Sequence, residues 1–208
     1  MKEICLICGQ EYESKIRCVN GHFICDRCHS ADILYLLESI LTASTEDNPL
    51  ILITRIFDLP GLNMHGPEYH SIVPAVLVTA FQNLTGIKDG AKIKESILRG
   101  KFIQGGGCGY YGACGACVGT GIAVAVIEDV TPMSGDKRGL ANAVTGWALS
   151  EISQYGGPRC CKREAVSAIR TFMKNTNYFS ETPEVKYVCQ QYQYNKDCIQ
   201  EKCPYYPN

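Results

Sequence analysis

Residues 119–130, GTGIAVAVIEDV, decide the fold. The stretch is apolar on nearly every side, so its periodicity alone does not separate a buried strand from a buried helix. Its small glycine and alanine side chains suit close helix packing, and its neighbours on both sides look helical. Upstream, Val73, Val76, Leu77, Ala80, Phe81 and Leu84 recur at helical spacing and stop near Gly86. Residues 88–100 form another helical stretch that closes on Gly100. Downstream, a helix starting near Ser134 presents Leu140, Val144, Trp147 and Leu149/Ile152, and ends at Gly156-Gly157-Pro158. A last long helix carries Val166, Ile169, Phe172 and Met173. Nearer the N-terminus, Ile33, Leu34, Leu37, Ile40 and Leu41 form one more stripe. Asn48-Pro49 fits an N-cap with proline at the first helical position, although LILITRIF also suits a strand. The expectation is a mostly α protein.

The chain has 208 residues, 46% of them hydrophobic, which suffices for one core with a small appendage. Lys+Arg at 20 against Asp+Glu at 21 give no basic excess, so nucleic acid is left open as a partner but not favoured. No apolar run is long enough to cross a bilayer. The first residues, MKEICLICGQ, lack the apolar core of a signal peptide, and a cytoplasmic location is expected. Oligomeric state leaves no mark in the sequence.

Thirteen cysteines are the anomaly. An odd number in short-spaced groups, with no export signal, points to metal binding or sulfur chemistry rather than to a disulfide framework. Residues 1–29 hold Cys5-x2-Cys8, Cys18, Gly21-His22 and Cys25-x2-Cys28-His29. Two CxxC pairs around a short loop let Cys5, Cys8, Cys25 and Cys28 meet one tetrahedral Zn²⁺. Cys18 and His22 join a second site or brace the loop. CVNGHFICDRC resembles the middle of RING and treble-clef zinc modules, but the last cysteine pair of a two-zinc RING does not follow. Ubiquitin-ligase function therefore does not follow either.

The domain organisation expected is a zinc knot over 1–29, a compact helical domain over 30–186 and a cysteine-bearing tail over 187–208. Within the helical domain, GGGCGYYGACGACVGTG places Cys108, Cys114 and Cys117 on glycine-rich backbone. Three thiolates suffice for a 4Fe–4S cluster with one iron open to substrate. A metal-free Cys114/Cys117 dithiol handling electrons or persulfide sulfur is the competing interpretation. At a helix start, Cys117 would gain thiolate character.

Cys160-Cys161 sits at another expected helix start beside Arg159, Lys162 and Arg163, a setting that lowers a thiol pKa. Adjacent side chains point apart, so one of the two can reach the central loop; Cys161 is the catalytic candidate, and the role of Cys160 stays open. In the tail, Cys189-x8-Cys198-x4-Cys203 runs directly into Pro204. A trio ending in Cys-Pro matches iron–sulfur ligation with a fourth ligand from a distant segment. Its spacing also matches RNA-binding CCCH zinc fingers, whose closing histidine is missing after Cys203. Finally, His65-Gly-Pro-Glu-Tyr-His70 offers His65, Glu68 and His70 as acid–base groups at a loop-to-helix junction.

MHGPEYHSIVPAVLVTAF, GGGCGYYGACGACVGTGIAVAV, GGPRCCKREAVSAI and CIQEKCPYY together resemble an uncharacterised cysteine-rich domain family of anaerobic archaea and bacteria. The resemblance spans most of residues 50–208 and brings no settled activity. The expectation is an iron–sulfur-dependent enzyme acting on a small molecule by sulfur transfer, desulfuration or lyase-type elimination. Its rivals are a zinc module for RNA or a protein partner, and a metal-free thiol carrier.

Overall fold

A short antiparallel hairpin opens the chain, β1 (Lys2–Ile4) pairing with β2 (Glu11–Glu13) so that Glu3 faces Tyr12. The structure, a computed structural model, describes residues 2–5, 10–14, 23, 25, 31–59 and 62–207. Among the described residues, everything from residue 31 onward is helix and loop, and the mostly α fold is as expected.

The first two helices are α1 (Ala31–Ala43) and α2 (Pro49–Phe57). LILITRIF is helical because Asn48 caps it, its Oδ1 accepting from the Leu50 and Ile51 amides, with Pro49 in the first turn. The central element is α3 (Glu68–Thr85), which ends on left-handed Gly86. Nearly every side chain from Glu68 to Ala80 is buried, the pattern of a helix enclosed on all sides. Around it pack α1, α2, α4 (Gly90–Lys101), α6 (Gly115–Ile127) and α8 (Cys161–Asn175). A one-turn helix, α5 (Gly107–Tyr110), interrupts the glycine-rich loop, and α7 (Asp136–Ser153) lies against α6 and α8.

The stretch that decided the fold is helix α6, and its small residues explain its place. A Cβ on Gly121 would stand 2.7 Å from the Ala141 carbonyl oxygen of α7 and closer still to the Thr145 hydroxyl. The two helices therefore touch backbone to side chain. Gly121→Ala is expected to destabilise the protein by about 1–3 kcal/mol through overpacking, more than the ~1 kcal/mol of helix propensity that alanine returns. Gly139→Ala, on exposed α7 surface with nothing within 4 Å of the added carbon, is expected to stabilise by about 1 kcal/mol. Urea midpoints of the two variants should move in opposite directions.

One stripe differs from expectation. Val144 and Ala148 are the buried residues of α7, whereas Trp147 is 39% exposed. The inward arc turns one residue further round than the large indole suggested. Among the described residues, no helix is long and apolar enough to cross a membrane.

Candidate functional site

Helix α8 starts at the two adjacent cysteines, and they serve two different surroundings. Cys160 is the N-cap, extended at φ −135° and ψ 99°, and Cys161 is the first helical residue. Cys160 lines a narrow void, partly open to solvent, together with Cys189, Cys198 and Cys203 of the tail. The tail trio thus meets a fourth thiol from a distant segment.

What holds the tail there is ordinary packing. Tyr187 and Tyr205 are buried and meet edge to face at 5.4 Å, and Tyr187 also packs on Phe57 of α2. The Cys189 amide donates to the Tyr205 carbonyl at 2.7 Å, and the Tyr205 and Ser167 hydroxyls are hydrogen-bonded at 2.9 Å. His65 braces the other side, its Nε2 hydrogen-bonded to Asn195 at 3.3 Å.

The sulfurs around the void are prepared for negative charge. The Gln200 amide donates to Cys198 Sγ at 3.4 Å, and the backbone at Arg163 and Tyr205 favours the ionised forms of Cys160 and Cys203. The Arg163 guanidinium attracts both of the latter. Nonetheless burial pushes the Cys160 and Cys203 thiols up. The buried Tyr187 hydroxyl stands beside Cys189, too poorly aligned for a regular hydrogen bond. A thiolate at Cys189 would accept it. Buried Lys162 donates to the Phe57 carbonyl at 3.0 Å, lies over the Phe57 ring and feels the Cys189 and Cys160 sulfurs. Two cations and the Gln200 amide beside four thiols suit an anionic, thiolate-bound inorganic group.

Among the described residues, no three His, Cys, Asp or Glu side chains are gathered for a single ion.

A second thiol group lies on the other side of Glu164. Cys114 caps α6 and Cys117 sits in its first turn. The Cys117 thiol beside it holds the Cys114 thiol below its ordinary range, while Cys117 is pushed far up by Cys114 and by burial. The more acidic thiol of the pair is Cys114, the capping residue, and not Cys117. The Cys114 thiol donates to one oxygen of the Glu164 carboxylate at 3.6 Å. The other oxygen of Glu164 accepts from the Cys160 amide at 3.2 Å and from Arg163 at 3.1 Å. One buried carboxylate therefore touches the dithiol and the backbone of the tail pocket.

Cys161 faces this second group. It lies near the Gly66 backbone, Cys114 and Glu164, and burial pushes its thiol up to about 12. The helix start and nearby cations are outweighed by desolvation, so the lowered pKa expected at this cysteine pair is reversed. Gly66 brings the HGPEYH segment over Cys161, with the buried Glu68 carboxylate folded back on it. His70 turns elsewhere: its Nδ1 donates to the Ile103 carbonyl at 3.2 Å, and its ring lies against Gly115. His65, whose pKa burial lowers despite its bond to Asn195, belongs to the tail side. The three acid–base candidates are thus spread over three surroundings.

Cys108 sits on α5, half-buried against the core. It forms no three-residue ion site with Cys114 and Cys117. At the N-terminus, Cys5 and Cys25 are buried together, and the Cys25 amide donates to Cys5 Sγ at 3.3 Å. Cys8, Cys18, His22 and Cys28 lie outside the described residues. The residues that the sequence left unassigned are Cys160, Tyr187 and the pair Arg163–Glu164. For Cys160 a signal existed in the divergence of adjacent side chains. For the others none did.

Residues 37–206 match DUF5714, a family of unknown function, and the chain belongs to that family. The matched stretch contains both thiol groups and leaves the N-terminal Cys/His segment outside. No curated protein and no solved structure matches the chain.

Proposed function

We propose that this protein is an iron–sulfur enzyme carrying out thiol-based redox or sulfur-transfer chemistry on a small molecule. The observation that carries this reading is the convergence of Cys160, Cys189, Cys198 and Cys203 on one void, with an amide donor on Cys198 and the Arg163 guanidinium attracting Cys160 and Cys203. Four thiolates ligate every iron of a 4Fe–4S cluster, where three would leave one iron open. The proposal thereby moves away from the open-iron elimination that Cys108, Cys114 and Cys117 suggested, and towards electron transfer. When bound, such a cluster supplies single electrons. The chain's own thiols, Cys114, Cys117 and Cys161, stand on the far side of Glu164 and are the groups that would handle the substrate's sulfur. Arg163 and Lys162 supply the compensating positive charge.

A reducing, cytoplasmic setting is the one that would keep such thiols available for this chemistry. For the N-terminus we keep zinc on Cys5, Cys8, Cys25 and Cys28, supported by the hairpin that ends at Cys5 and by its contact with Cys25.

Anaerobic purification followed by metal and acid-labile sulfide analysis tests the proposal. About four iron and about four sulfide per chain are expected, with about one zinc. Stoichiometric zinc without sulfide would overturn the cluster and return the tail to a zinc module, for which RNA binding that weakens steeply with salt is the signature.

A further inference from the structure

We propose that Cys114 and Cys117 are a redox couple that closes to a disulfide by exchange with a small-molecule disulfide. The inference rests on the reading above for its place in catalysis, and it names the substrate class. The couple itself is read from protein atoms alone.

Several features set these two thiols apart from packing atoms. Cys114 is the N-cap of α6 and Cys117 lies three residues on in its first turn, and Cys114 is turned inward onto the buried Glu164 carboxylate at 3.6 Å. A helical turn brings positions i and i+3 onto one face, so closing the bond asks for side-chain rotation rather than movement of the helix. Cys114 is 7% exposed and Cys117 is fully buried, so the first is the one an outside disulfide meets. A buried carboxylate, Glu164, is turned onto Cys114, an arrangement that core packing alone would not retain. The loop in front, 105–113, is a surface turn with positive φ at Gly106 and Gly112 and with Tyr110 and Tyr111 exposed.

The step balances without any further reagent. The Cys114 thiolate attacks one sulfur of the external disulfide RS–SR, forming a Cys114–S–SR bond and releasing RS⁻, which takes up the proton that Cys114 gave. Cys117, losing its proton, then attacks the Cys114 sulfur, and the second RS⁻ leaves with that proton. Two protein thiols are oxidised to one disulfide, and one external disulfide is reduced to two thiols.

The test is thiol trapping on the purified, anaerobically handled protein. It is equilibrated with mixtures of reduced and oxidised glutathione, quenched in acid and alkylated, and the labelled cysteines are located by fragmentation mass spectrometry. The expected result is joint loss of label at Cys114 and Cys117 as the buffer becomes oxidising, with Cys108 still alkylated. Cys117→Ser should stop at a glutathione adduct on Cys114, and Cys114→Ser should form neither adduct nor disulfide in this segment. Cys108→Ser, which keeps the couple, should behave as the parent. Full alkylation of Cys114 and Cys117 across the whole range would overturn the proposal, as would a Cys117→Ser protein that accumulates no adduct on Cys114. Sulfide content, measured on the same sample, reports on the cluster separately, so a failed couple and a failed cluster are told apart.

Discussion

Cys160→Ser is expected to strip the tail pocket of its iron and sulfide, whereas Cys161→Ser, one residue further on, is expected to leave both in place. The contrast comes from the start of α8. An extended N-cap followed by the first helical residue sends two consecutive side chains in divergent directions, so Cys160 enters the void with Cys189, Cys198 and Cys203 while Cys161 meets Gly66 and Cys114. Serine is nearly isosteric with cysteine but offers a neutral oxygen in place of a soft thiolate. Loss of one of four such bonds should reduce cluster occupancy to near zero on aerobic handling. The protein part of the pocket should survive, because Tyr187 and Tyr205 tie the tail to the core independently of any metal. Near-identical iron and sulfide in the two variants would show that the four cysteines do not act as a set. Circular dichroism on both would confirm that the helices are intact.

The adjacent cysteines also show how far the residue order reaches. That Cys160 and Cys161 point apart is a local consequence of chain geometry and was readable. Which of them meets the tail depends on how residues 187–206 return across α8, and that is settled by Tyr187, Tyr205 and Phe57 packing far from the cysteines in sequence. The helices themselves were readable because their apolar residues recur at helical spacing, and residues 119–127 became helix for the reason their glycines implied: α7 lies against Gly121. Trp147 misled because size was taken for inwardness, while the smaller Ala148 holds the buried position. The thiol pKa shifts misled because a helix start and nearby cations are visible in sequence, but depth of burial is not. At Cys161 desolvation wins; at Cys114 the influence of the neighbouring Cys117 thiol wins. Glu164 was the least visible of all. A glutamate in a first helical turn is ordinarily a solvated residue suited to the helix dipole, and nothing in the order KREAV marks it as buried.

That burial makes Arg163–Glu164 the most deeply buried ion pair among the described residues. The side chains are 4% and 8% exposed and meet at 3.1 Å. Arg163 also donates to the Pro158 carbonyl at 3.2 Å and lies over the Tyr155 ring, while Glu164 reaches back to the Cys160 amide and across to Cys114. A buried pair of this kind adds little net stability as a unit, because both charges are desolvated, but removing one partner strands the other. Arg163→Met is therefore expected to cost about 3–5 kcal/mol, and Glu164→Gln a loss of the same order. The double variant should recover a substantial part of either loss, since neither charge is then left alone, and a double-mutant cycle from urea denaturation measures this coupling. Purely additive losses would mean that the two side chains act separately, and Glu164 would no longer be a common support for both thiol groups. Because Glu164 touches Cys114 while Arg163 faces Cys160 and Cys203, the two single variants should also part in chemistry. Glu164→Gln is expected to alter the alkylation rate of Cys114, and Arg163→Met the retention of iron, in protein that remains folded at low temperature.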